Sequence, residues 1–138
     1  MLYFDSTGYR TRAVCKDAVV WFVNKYLPRY KLDIQVNHRG LKREGVQGWC
    51  NIEGDNYRPR SFFIEIHNRL DEDEYLRTLF HELIHVKQFV KGELKDRRSH
   101  KYWKNEDISN TEYDDDPSEI EAREMEEVLL EKYRETQV

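Results

Sequence analysis

A chain of 138 residues sets a single domain as the expectation and leaves room for a modest hydrophobic core. Charged residues make up 36 % of it, which would suit a disordered chain if aromatics were scarce, but nine Tyr, six Phe and three Trp argue for a packed fold. The net charge of −4 gives no bulk attraction to nucleic acid, and Cys15 and Cys50, the only cysteines, make neither a disulfide framework nor a zinc-finger set.

The opening residues, MLYFDSTGYRTR, lack the uninterrupted apolar core of a signal peptide, and no pro-segment is visible. No apolar run approaches the length of a membrane span. A soluble, cytoplasmic protein is the expectation. Residues 9–27 place Val14, Cys15, Ala18, Val19, Phe22 and Tyr26 at helical spacing, and Pro28 stops that helix. Residues 31–38 alternate Leu32, Ile34 and Val36, which predicts a half-buried strand. A turn follows, then residues 45–54, a strand weakened by glycines. After a loop, residues 61–67 alternate Phe62, Ile64 and Ile66 against Phe63, Glu65 and His67, a third strand.

The next helix is announced by Asp71 as cap, with Glu74 completing a capping box. It carries Leu76, Leu79, Phe80, Leu83, Ile84, Val86 and Val90 as a broad apolar surface, and Gly92 ends it. Residues 72–91 therefore predict a helix of about 30 Å. Residues 93–115 read as polar and irregular, too long for an idle connection. Asp116-Pro117 opens the last helix, which runs to about Tyr133. The predicted fold class is α+β: three strands in one small sheet between an N-terminal helix and two further helices.

The stretch HELIH, residues 81–85, carries chemistry in its spacing. On a helix, His81 and His85 stack one turn apart on one face, so both imidazoles can reach a single Zn²⁺. Glu82 is rotated by about 100°. It is badly placed as a further ligand but well placed to reach a water on the same metal, as a general base must. The apolar neighbours supply the dry wall a catalytic metal needs.

Such a zinc needs a third protein ligand and an open position. Glu119 and His100 compete for that role. On a helical wheel, Ala122, Met125, Leu129 and Tyr133 define the buried face of the last helix, and Glu119 lies about 60° from Ala122, at its edge and in the first turn. Glu121 lies about 100° away on the other side; Glu126 points inward but two turns deeper. Glu119 also fits a capping box with Asp116, a purely structural role. His100 lies in the connection after the motif helix, within reach of a chain that folds back. We favour Glu119.

HELIHVKQF, followed by Trp103, Tyr113 and PSEIEAREME, resembles the small HExxH metallopeptidases of the SprT-like and gluzincin-type zincins, compact phage-encoded members above all. The resemblance spans roughly residues 60–126. It implies a zincin-like fold, with a small twisted three- to four-stranded sheet packed on the HExxH helix and an edge strand that accepts an extended substrate. It also implies His81, His85 and Glu119 as zinc ligands and Glu82 as base. SprT-like proteases usually take a third histidine from the loop after the motif helix, where this chain has His100, but the glycine that flanks it there is absent from RRSHKYW. Metzincins need Gly at position 88 and His at 91; this chain has Gln88 and Lys91.

The implied activity is zinc-dependent hydrolysis of peptide bonds in a protein or peptide substrate. Residues 45–54 are the candidate edge strand, the glycines leaving room for another backbone or marking a bulge. Tyr113, His100 and Tyr102 are candidates to stabilise the oxyanion, with Tyr113 preferred. Glu126, or an acid of the Asp114–Asp116 run, is the candidate to orient a ligand imidazole. That run otherwise reads as a solvated loop and helix cap. KGELKDRRSHKYWK reads as a solvated loop too, although its basic and aromatic residues also suit nucleic acid, as in SprT-like proteases that act on DNA-bound proteins. The other readings are a different metal hydrolase and a non-catalytic zinc-binding protein. A dead motif commonly loses the glutamate first, and Glu82 is present.

Overall fold

A computed structural model describes residues 1–8 and 12–137. The elements in chain order are β1 (Leu2–Gly8), α1 (Arg12–Tyr26), β2 (Leu32–Arg39), β3 (Gly48–Ile52), β4 (Ser61–His67), α2 (Glu72–Val90), β5 (Leu94–Arg97), β6 (His100–Trp103), β7 (Glu106–Asp107) and α3 (Pro117–Glu135), the last preceded by a 3₁₀ turn at Tyr113–Asp115. The fold is α+β. Residues 9–11, the start of the first predicted helix, lie outside the described residues.

Four strands form the main sheet in the order β1-β2-β4-β3. β1 and β4 both pair parallel with β2, and β3 pairs antiparallel with β4 as an edge strand. Strand alternation sends Ile34 and Val36 of β2 and Phe62, Ile64 and Ile66 of β4 to one face. There they form one core with Cys15, Ala18, Val19 and Phe22 of α1 and Leu76, Leu79, Phe80 and Leu83 of α2. α3 lays Ala122, Leu129, Leu130 and Tyr133 into the same core. The other face of the sheet is polar. Its centre is Glu65, which accepts hydrogen bonds from Arg39 Nε (2.7 Å), Asn37 Nδ2 (2.8 Å) and Trp49 Nε1 (2.9 Å). The Arg39 hydrogen bond, helped by those from Asn37 and Trp49, holds this carboxyl below the ordinary range despite burial. This network ties the edge strand β3 to β4 and β2. Among the described residues no helix is long and apolar enough to cross a membrane.

Two segments differ from the sequence expectation. The chain does not open on a helix: Leu2–Gly8 is a strand, and with α1 and β2 it makes a parallel β-α-β unit. Its alternation is present in Leu2, Phe4 and Ser6 against Tyr3, Asp5 and Thr7, with the first three turned inward, but Ser6 breaks the apolar series. The stretch read as irregular, 93–115, contains a three-stranded antiparallel meander, β5-β6-β7. Its two turns, Arg98-Ser99 and Lys104-Asn105, each have two consecutive residues at positive φ (51°, 67° and 48°, 73°). Those are type I′ hairpin turns, usually signalled by Asn-Gly, and here no glycine marks them.

Candidate metal and catalytic site

α2 and α3 bring the candidate ligands together. Asp71 caps α2 by accepting from Glu74 N at 2.9 Å, and Gly92 follows its C-terminus at φ +75°. These caps fix the register that puts His81, Glu82 and His85 towards β3 and α3. Asp116 caps α3, accepting from Ser118 N (2.9 Å) and Ser118 Oγ (2.6 Å) and pairing with Lys101 Nζ (2.6 Å). Asp116 makes the cap through Ser118, and the Glu119 carboxylate is turned across to α2 rather than back onto its own helix. The capping-box reading of Glu119 is therefore replaced by a contact between helices.

Burial alone would raise the Asp116 carboxyl, but Lys101 and Ser118 outweigh it and hold it below its ordinary value. A depressed folded pKa adds stability above the unfolded value, and that share is lost as pH falls through the folded one. Asp116→Ala is expected to cost about 1–2 kcal/mol, read as a lowered urea midpoint at neutral pH. The difference from the parent should shrink as the medium is acidified below the carboxylate range. An unchanged midpoint would remove Asp116 as the anchor of α3.

Ligand atoms of His81, His85 and Glu119 lie within 4.8 Å of one another. His81 Nε2 is 2.9 Å from Glu119 Oε1, and His85 Nε2 is 3.1 Å from Glu119 Oε2. The other ring nitrogens are also engaged. His81 Nδ1 is 2.9 Å from Glu126 Oε2, and His85 Nδ1 is 2.9 Å from Gln88 Oε1. Gln88 in turn donates through Nε2 to the Ser118 carbonyl and to Glu121 Oε1, both at 3.1 Å. An acceptor behind each Nδ1 keeps the proton there when Nε2 is deprotonated, so that both Nε2 lone pairs would then face the same point, as a metal requires.

The electrostatics favour a cation at that point. Three carboxylates, Glu82, Glu119 and Glu126, surround two imidazoles. Burial would lower the pKa of His81, but hydrogen bonds to Glu119 and Glu126 outweigh it and push it up to about 10. His85 is raised for the same reason, with Glu119 overcoming its burial. Burial raises Glu119, yet the two imidazoles hold it well below the carboxylate range. Glu82 makes no ion pair of this kind; burial pushes it up to about 7 against the pull of His85 and His81. In the metal-free chain, protons on the imidazoles supply the positive charge that a metal ion would supply otherwise.

The remaining candidates separate cleanly. His100 sits on β6, with its side chain about half exposed and 3.2 Å from Asp107 Oδ2, outside the cluster. Tyr113 is exposed and lines the two cavities that flank His81 and Glu82, whereas Tyr102 and His100 line neither. Glu126, the candidate to orient a ligand imidazole, lies against His81 Nδ1; of the acidic run, Asp116 serves as cap. The contact of Gln88 with His85 Nδ1 went unrecognised in the sequence. Its signal was available, because Gln88 sits three positions after His85 on the same helical face. Cys50, a free and partly buried thiol on β3, faces the same cleft. Gly48 lies closest to the motif helix. A Cβ there would meet Thr78 Cγ2 at 2.8 Å and the Glu65 carbonyl at 3.0 Å, so the glycine makes room for α2 rather than for a further backbone.

No protein-family model, curated protein or solved structure matches this chain. Its site is accordingly read from its own residues. Removing the acceptor behind His81 tests the orienting role. Glu126→Ala is expected to weaken zinc affinity about 10–100-fold, measured by competition with a chromophoric chelator. An affinity equal to the parent's would make the Glu126 contact incidental.

Proposed function

We propose that the chain is a zinc-dependent metallopeptidase of zincin type, with His81, His85 and Glu119 as ligands and Glu82 as general base. One observation carries this reading. Two imidazole Nε2 atoms and one carboxylate converge within 4.8 Å, while both Nδ1 atoms are held from behind. Two nitrogens and one oxygen are the donor set of a catalytic zinc that keeps a position open. Bound there, zinc supplies a Lewis acid that polarises a carbonyl and draws the pKa of a water towards neutrality.

The chain's own groups do the rest. Glu82, buried beside the cluster, accepts the proton of the attacking water and passes it to the departing amine. Its raised pKa suits a group that must take a proton and return it. Tyr113 stands at the mouth of the site, where partial desolvation of its hydroxyl and the nearby Glu119 raise its pKa further, and the protonated phenol donates to the oxyanion. The free edge of β3 gives an extended protein or peptide substrate main-chain hydrogen bonds beside Glu82.

Elemental analysis of protein loaded with zinc and desalted should give close to one zinc per chain. Hydrolysis of a denatured protein substrate should stop with a strong chelator and return on adding zinc. A chain that retains no zinc would end this reading.

A further inference from the structure

The cleft has two unlike halves. Both cavities share Val46, Gly48, His81, Glu82 and Tyr113, so they meet at the catalytic groups. One, of about 380 Å³, extends towards Cys50 and is walled by Cys50, Phe89 and Leu94, with Trp49 turned to Glu65 on the other face of the sheet. The other, of about 470 Å³, extends the opposite way and is walled by Gln47, Thr78, Arg123 and Glu126. Two elements agree on this axis. Along β3 the chain passes from 45–47 in the polar half to 49–50 in the apolar half, and along α2 from Thr78 to Phe89.

The hydrogen-bond phase of β3 fixes which of its groups a substrate meets. His67 N donates to the Gln47 carbonyl (2.7 Å) and Glu53 N to the Ser61 carbonyl (2.8 Å). Residues 47, 49, 51 and 53 therefore face β4, and the N–H and C=O groups of Gly48, Cys50 and Ile52 face the free edge. A peptide bonding to Gly48 and Cys50 lies alongside Glu82. Antiparallel pairing is the more stable of the two choices and the commoner. In that direction the residue opposite Cys50 precedes the residue opposite Gly48 in the peptide chain.

We infer that the cleft selects peptides with a large apolar side chain on the N-terminal side of the cleaved bond and polar or charged side chains on its C-terminal side. Cys50, Phe89 and Leu94 receive the first; Gln47, Thr78, Arg123 and Glu126 face the second. Asp96 and Lys101 rim the apolar half, Asp96 exposed and Lys101 held on Asp116 Oδ2 at 2.6 Å. This inference rests on the proposed zinc site, and it concerns the direction and chemistry of what that site takes.

Hydroxamates separate the two, because the zinc-binding group pins the register without turnover. Zinc-loaded protein is titrated with peptidyl hydroxamates ending in Leu-Phe or in Gly-Gly, which fill the N-terminal side. It is also titrated with succinyl hydroxamates carrying Leu-Phe-amide or Gly-Gly-amide, which fill the C-terminal side. Leu-Phe should tighten the first pair by at least about tenfold, the scale of burying one such side chain, and leave the second pair within about threefold. Tightening confined to the second pair would overturn the antiparallel lie. Equal gains on both sides, or none, with zinc bound at one per chain, would overturn the selectivity alone. A chain that holds neither zinc nor hydroxamate would overturn the metal site and this inference with it.

Discussion

Glu82→Gln is expected to lower the rate of peptide hydrolysis by about 10²–10⁴-fold while leaving one zinc per chain. The side chain is buried, with 6 % of its surface exposed, and its carboxyl is pushed up to about 7 by that burial. The amide has the same shape and carries no charge, so it occupies the same space without the desolvation penalty of a carboxylate. Folding stability should therefore hold or rise slightly. The loss should appear in kcat, because the proton transfer belongs to the transition state rather than to substrate binding. Zinc content by elemental analysis and thermal unfolding of the same sample show that the site and the fold survive. Turnover within about tenfold of the parent would remove Glu82 as base. Inactivity of both chains, each holding zinc, would favour the non-catalytic zinc-protein reading.

The parts of the structure that were legible in the sequence share a physical cause. Where periodicity and punctuation coincide, the element was readable: α2 has an apolar stripe, Asp71 at its start and Gly92 at its end, and α3 has Asp116-Pro117. β4 was readable because Phe62, Ile64 and Ile66 form an unbroken alternating face. The missed elements lack one of those two signals. β1 alternates but places Ser6 where an apolar residue would have shown the pattern. The β5-β6-β7 meander is built from Leu94 and little other buried apolar surface, and its hairpin turns place Arg98, Ser99, Lys104 and Asn105 at positive φ without glycine.

The site divides along the same line. His81, Glu82 and His85 were legible because a single helix sets their geometry. Glu119 and Glu126 were reached only through a helical wheel, which gives a face but not the partner helix. For Gln88 only the spacing of three from His85 was local; its anchoring by Ser118 and Glu121 of α3 is a tertiary contact that no local pattern records. Gly48 was noticed as a glycine near an edge, but only the packing of β3 on Thr78 explains it. A site assembled across two helices and an edge strand is thus only partly written in any one segment.

Removing Glu119 should distinguish the two candidate ligand sets. In Glu119→Ala, zinc affinity should fall by more than the about 10–100-fold expected for an outer hydrogen-bond partner, so that the desalted protein retains almost none. His100→Ala should bind zinc as the parent does, because its ring sits beside Asp107 on β6, outside the cluster. The metal-free proteins give a second readout. Glu119 is the largest of the groups that lift His85 against its burial, ahead of Glu82 and Gln88, whereas His81 also has the Glu126 hydrogen bond. Without Glu119, the His85 imidazole should therefore titrate at lower pH than in the parent, and His81 should shift less, as followed by proton NMR. Zinc lost with His100→Ala and kept with Glu119→Ala would transfer the third ligand to the meander. The imidazole titrations would then decide whether Glu119 serves only as a counter-charge to the two histidines.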